Sequence, residues 1–209
     1  MKRKLTILGC LAACVVISAR AQAPEEYARF RQDAGEASVL YRGRQATRYT
    51  MVHNGHPYWT TPEFLRGSVT YNEKTYDGVL LNIDALGQQV LVKYAPDYPA
   101  VQLSRAEVPE LTVGGTRWIN PQAMGFAAPE GFFEVLADRG PVLALRRVSK
   151  RLKQSPDNRN GKFIGYWDPD YNMNAITYFE FRESFYLLQN GKCTKAGKRR
   201  VMRYADGTD

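Results

Sequence analysis

Between residues 67 and 94 the chain reads GSVTYNEKTYDGVLLNIDALGQQVLVKY, three short runs in which apolar and polar positions alternate. Val69 and Tyr71 fall on one side of an extended chain, Ser68 and Thr70 on the other. Further on, Val79 and Leu81 oppose Leu80 and Asn82, and ALGQQ can turn the chain back into Val90 and Val92, with Leu91 and Lys93 opposite. A period of two marks a half-buried strand. The texture is shared by VLYRG, ATRYTMV, AVQLS and PELTVGG, runs rich in Val, Leu, Tyr and Thr separated by Gly, Pro, Asn or Asp. Such runs, spaced by about 8 to 12 residues, predict an all-β fold: an antiparallel meander closing as a sandwich or barrel.

Downstream, GFFEVLADRGPVLALRRVSKRLK predicts two strands about a turn at Asp138, Arg139, Gly140 and Pro141. NAITYFEFRESFYLLQNGKCTKAG predicts two or three more, with Asn190 and Gly191 as a hairpin turn. Between them QSPDNRNGKFIGYWDPDYNMN is long, polar and full of breakers, a loop that is either functional or mobile. Upstream, PEEYARFRQDAGEA opens on Pro24 and two acids, spaces Tyr27 and Phe30 three apart and meets Gly35, which predicts a short helical lead-in over 22–37. No internal repeat, low-complexity tract or clear linker interrupts 38–209, so a single β-rich domain is expected there. The weaker alternative divides it near residues 120–131, around PQAMGFAAPEGF.

The first 21 residues change where this domain is expected to work. Lys2, Arg3 and Lys4 precede an uncharged apolar run from Leu5 to Ile17, followed by small residues at Ala19, Ala21 and Ala23. That order is a secretory signal, and its apolar run is shorter than the roughly 20 residues a membrane-spanning helix needs. The expectation is a soluble, extracytoplasmic protein, periplasmic or secreted, with no transmembrane segment after cleavage. LAAC at residues 11–14 supports a second reading, a lipoprotein acylated at Cys14, although the apolar VVI that follows is unlike the polar start of such tethers.

Charge follows the same division. The whole chain carries a formal +8, of which four positive charges sit in residues 1–21. Residues 22–145 hold 11 basic and 14 acidic side chains, residues 146–209 hold 14 basic and 7 acidic. The basic C-terminal third could meet an anionic surface or could simply be solvated. Cys10 and Cys14 fall in the signal, so cleavage leaves Cys193 alone, which excludes an internal disulfide and any multi-cysteine metal cluster.

Candidate chemistry is sparse, and no catalytic residue can be assigned. His53 and His56 lie in MVHNGHPYW, a turn in which two rings three apart need not converge on a metal; they read as exposed turn histidines. Asp168, Asp170, Asn172 and Asn174 in DPDYNMN place oxygen-bearing side chains at alternate positions, as a Ca²⁺ loop does. Met173 stands where such a loop turns on Gly, so these residues also read as plain turn formers. Glu107 with Glu110, and Glu180 with Glu183, are the carboxylate pairs a glycosidase would draw on. On the long loop, Arg159, Lys162, Tyr166, Trp167 and Tyr171 combine cations with aromatic rings and form the candidate binding surface.

The strand pattern itself carries a resemblance. FLRGSVTYNEKTYDGVLLNIDALGQQVLVKY, then VQLSRAEV and GFFEVLADRG, resembles a pattern in uncharacterised secreted β-rich proteins of Bacteroidota-type bacteria, over about residues 38–204. That group has no assigned activity, so the resemblance implies export and a β fold and transfers no site residues. The expected function is a non-enzymatic envelope or secreted β module binding a protein, glycan or surface, with no cofactor and no nucleic-acid partner. Two alternatives stay open: an extracytoplasmic hydrolase acting on glycan or envelope polymer, and a calcium-stabilised structural domain. If Asp168 to Asn174 are turn formers only, the melting midpoint is the same in excess Ca²⁺ and in excess EDTA. A midpoint raised by Ca²⁺ would instead establish the loop as a metal site, by mass action on the folded state.

Overall fold

A computed structural model describes residues 38–47, 49, 53–156 and 175–207. The helical lead-in expected over 22–37 lies outside them, as does the loop 157–174. The described chain is mostly antiparallel sheet. Its strands are β1 (Arg44–Gln45), β2 (His53–Asn54), β3 (Leu65–Tyr71), β4 (Lys74–Asp84), β5 (Gln89–Lys93), β6 (Val101–Gln102), β7 (Glu110–Val113), β8 (Thr116–Ile119), β9 (Phe133–Arg139), β10 (Val142–Pro156), β11 (Ala175–Gln189) and β12 (Lys192–Ala196). One helix, α1 (Lys198–Asp206), follows.

Among the described residues these strands make one open sheet in the order β1-β6-β5-β4-β3-β7-β8-β9-β10-β11-β12. β2 lies off this path, parallel to β11 at Thr177 and Tyr178, whereas β12 pairs β11 from Phe185 to Gln189. The meander from β3 to β6 is the one the alternation predicts. The chain then turns through a short 3-10 segment (Arg105–Glu107), and β7 returns to pair with β3 instead of adding to β6. From there each strand pairs with the next out to β12.

Gly67 explains how β7 can approach. A Cβ at this position would run into the Thr112 carbonyl of β7, so only a residue without a side chain lets β3 and β7 close. The last hairpin is made by Asn190 and Gly191, at φ 50° and 73°. Two consecutive left-handed residues are what the tight turn between right-twisted strands demands.

Alternation then sorts side chains into three apolar groups. On β8, Trp118 enters a core with Val69, Val79, Leu81, Val92 and Leu111. Its neighbour Ile119 points the other way, into a group with Phe133, Leu145, Tyr186, Leu188 and Cys193. Trp59 closes the first core edge-on against Trp118, ring centroids 4.6 Å apart at 81°. A third group, Ala144, Phe185 and Val201, is formed where α1 covers the opposite face of β10 and β11.

Residues 198–206 correct the sequence reading, which has no element after the final strand. Val201, Tyr204 and Ala205 stand three and four apart and pack inward together, and the N–H of Gly207 closes the last turn on the Arg203 and Tyr204 carbonyls. The run of basic residues at its start hides this short apolar stripe. No helix among the described residues is long and apolar enough to cross a membrane.

β10 and β11 are longer than expected, 15 residues each. β10 outruns its partner β9, with which it pairs only from Val142 to Arg146. Its remaining edge is taken by the β4–β5 turn: Lys150 N donates to Ala85 O and Gln88 Nε2 donates to Val148 O, both at 2.9 Å.

The Gly67 approach is testable by chemical denaturation. Gly67→Ala should cost about 3 kcal/mol, the upper end for forcing an extra methyl into packed structure. Gly197→Ala, whose Cβ meets nothing within 4 Å, should stay within about 0.5 kcal/mol. Equal midpoints for both variants would refute the account.

Candidate functional site

The β4–β5 turn also organises the segment ahead of β3. Trp59 N donates to Ile83 O and Ala85 N to Pro57 O, each at 2.9 Å, which lays residues 57–59 along the end of β4 with Tyr58 opposite Asp84. Asp84 is buried, with 5 % of its surface exposed. A carboxylate so placed must have its lone pairs met. Oδ1 accepts the N–H groups of Leu86 (2.8 Å) and Gly87 (2.9 Å), and Oδ2 accepts the Tyr49 hydroxyl at 2.8 Å.

These contacts set the chemistry of their neighbours. Burial first, and then the hydrogen bond to Asp84, push the Tyr49 phenol above its ordinary pKa, so it remains a protonated donor. Lys150 Nζ donates to the His56 carbonyl at 2.8 Å. Burial pulls the Lys150 ammonium below its usual range, against the opposing pull of Asp84. The His56 ring stacks on Tyr58, centroids 5.9 Å apart at 27°, and its Nδ1 is buried with no hydrogen-bond partner. Burial, followed by the Lys150 charge, holds this imidazole below its ordinary pKa.

In front of this frame opens a cleft of about 920 Å³. Its rings are Tyr49, His56, Tyr58, Phe64, Tyr98 and Phe179, drawn from four separate stretches of chain. Most are braced edge to face: Tyr49 on Phe179 at 6.3 Å, Tyr58 on Phe64 at 6.2 Å, and Tyr98 on Tyr94 at 5.1 Å. Lys93 and Asp97 bring opposite charges to the lining. Lys93 is already engaged, its Nζ 5.0 Å above the Phe64 ring and donating to Pro96 O at 2.8 Å. The result is a nearly neutral, prearranged aromatic surface with hydroxyl tips, which can hold a ligand by stacking and hydrogen bonding.

The residues singled out from the sequence fall differently. Arg159, Lys162, Tyr166, Trp167 and Tyr171 of the loop, and Asp168, Asp170, Asn172 and Asn174 of the proposed Ca²⁺ run, all lie outside the described residues. His56 departs from the expectation of an exposed turn residue: it is half-buried in the cleft. Glu180 and Glu183, three apart on β11, project from opposite faces of the sheet and cannot face one another across a cleft. Glu180 pairs with Arg182 and Lys153, Glu183 with Arg146 and Lys198. Glu110 is held by Arg117 on β8 at 3.1 Å, while Glu107 stands by Tyr71 and, after burial, helps push its phenol above the ordinary pKa.

Cys193 is buried in β12, where burial pushes its thiol up to about 11, away from nucleophilic use. Among the described residues no three of His, Cys, Asp and Glu gather as a metal site would need.

Sequence reasoning assigned none of the rings Tyr49, Tyr58, Phe64, Tyr98 and Phe179 to a site. The available signal was the density of Tyr and Pro in HPYW and APDYPA, residues 56–59 and 95–100, two breaker-rich stretches too rigid and too aromatic for simple connectors. Comparison of the chain with protein-family models, with curated proteins and with solved structures found no match.

The frame predicts a pH dependence. His56 resists protonation when folded, so the unfolded chain binds the extra proton below its ordinary pKa of about 6.5. Stability is therefore full above that pH and falls as pH drops through it. Melting midpoints followed from about pH 8 to about pH 5 should decline, and His56→Asn should flatten part of the decline. An unaltered slope in the variant would place its origin elsewhere.

Proposed function

We propose that the chain is an exported, non-enzymatic β module that binds a protein, glycan or surface of the cell envelope, and that it binds at the aromatic cleft. The observation that carries this reading is the set of rings Tyr58, Tyr98 and Phe179 around a nearly neutral opening of about 920 Å³, within the size range of small-ligand sites. A glycan suits this lining best. Sugar rings offer a C–H face to an aromatic plane and hydroxyls to tyrosine tips and backbone, and need no compensating charge. The apolar leader supports the export half of the proposal. The seam between the β4–β5 turn and β10 supports reading the sheet as partly closed on itself, towards a barrel.

Thermal melting against a panel of neutral polysaccharides and envelope polymers tests the binding. A ligand at about 100 times its Kd stabilises the fold by about 2.7 kcal/mol. One polymer should raise the midpoint of the native chain, and Tyr58→Ala or Tyr98→Ala should abolish the rise while leaving the ligand-free protein folded. A rise retained in both variants would move the site away from the cleft, and a flat panel would remove the glycan reading in favour of a protein partner.

A further inference from the structure

The other exposed feature of the molecule is electrostatic and lies on α1. Residues 192–206 contain six basic side chains, Lys192, Lys195, Lys198, Arg199, Arg200 and Arg203, against the single acid Asp206. The helix has used its apolar stripe, Val201, Met202, Tyr204 and Ala205, to pack on the sheet. Arg199, Arg200 and Arg203 are left exposed on the outer side.

Of the other arginines, four are neutralised by acids, Arg66, Arg139 and Arg147 bond backbone carbonyls instead, and Arg42, Arg44 and Arg151 have no acidic partner among the described residues. Arg105 pairs with Glu130, Arg117 with Glu110 and Asp138, Arg146 with Glu134 and Glu183, and Arg182 with Glu180. Lys198 leans back on the protein, over the Phe185 ring at 5.5 Å and 3.7 Å from Glu183. Among the described residues Arg199 and Arg200 have no such acid, and neither does Lys192 on the edge strand β12, whereas Lys195 projects with Cys193 from the sheet face opposite α1.

We propose that the outer side of α1 is a docking surface for the phosphate headgroups of an anionic lipid bilayer. Three properties favour a lipid surface. Arg199, Arg200 and Arg203 stand exposed on the outer side of one helix, a shape that meets a broad surface. Arginine predominates on the helix, and its planar fork matches phosphate oxygens. The apolar stripe is consumed internally, so contact is by charge at the headgroups without insertion. The binding is independent of the cleft.

The test is co-sedimentation of the full chain with vesicles of phosphatidylcholine alone and of phosphatidylcholine mixed with phosphatidylglycerol. The neutral vesicles take up whatever the apolar leader contributes. Each basic side chain near an anionic leaflet is worth about fivefold in partition, so Arg199→Gln with Arg200→Gln should lower the anionic-specific binding on the order of 30-fold. Arg182→Gln, on an ion-paired arginine of the sheet, should leave it unchanged. Raising salt to about 1 M, where screening acts over about 3 Å, should release the native chain.

Equal sedimentation with both vesicles, or anionic binding indifferent to salt or to the double variant, would overturn the proposal. So would a heparin or duplex-DNA competitor that holds the chain at a salt concentration where vesicles release it, because the partner would then be a soluble polyanion. The salt titration needs only the native chain and decides the question even if the double variant folds poorly. Tyr98→Ala, at the cleft, should sediment as the native chain does, which separates this surface from glycan binding.

Discussion

The turn from Asp84 to Gln88 has to serve three neighbours at once. Its carboxylate is buried and takes two backbone N–H groups of its own turn, which fixes the loop as a rigid unit. With the loop fixed, Ala85 O and Gln88 Nε2 are aimed at the open edge of β10, and Ala85 N with Ile83 O at the backbone of residues 57–59. Removing the carboxylate would leave the part-buried N–H groups of Leu86 and Gly87 without that acceptor, at a cost of roughly 1 kcal/mol each. More consequentially, it would release the joint between the first half of the sheet and the second.

That joint decides where the cleft can be. Tyr58 is aligned by its bridge to Asp84, Tyr49 by its hydroxyl on the same carboxylate, and His56 by the ammonium of Lys150 from β10. One wall is therefore referenced to the β4–β5 turn and the other to β10 and β11. A partly open sheet would ordinarily leave such walls free to move independently. Here the hydrogen bonds that satisfy the turn also set the width of the opening.

This arrangement separates what the sequence discloses from what it conceals. Hairpins are local events: Asn190 with Gly191, and the alternation around Val79 and Val90, specify both the turn and the face of each neighbouring residue. Hence the meander, the β9–β10 hairpin and the β11–β12 turn are legible. The return of β7 to β3, the parallel seat of β2 on β11 and the docking of residue 85 on residue 150 depend on partners that sequence period cannot name. The cleft belongs wholly to this second class. Its rings come from residues 49, 56–64, 98 and 179 and become neighbours only after the long-range contacts form. The last helix is hidden for a different reason, since a nine-residue segment holds too few apolar positions to show a period among its basic residues.

The geometry of β11 relates the two exposed surfaces. Phe179 lines the cleft and Phe185 lies under α1; six residues apart on one regular strand, they project from the same face about 20 Å from each other. Glu183 lies between them on that face, neutralising Arg146 and drawing Lys198 inward. That leaves Arg199 and Arg200 as the cations of α1 without an acidic partner among the described residues. An uncharged ligand can then occupy the aromatic opening without competing with an anionic surface for the same cations. A stiff strand holding an aromatic site at one end and a cationic face at the other is suited to presenting one partner at a set distance from a second.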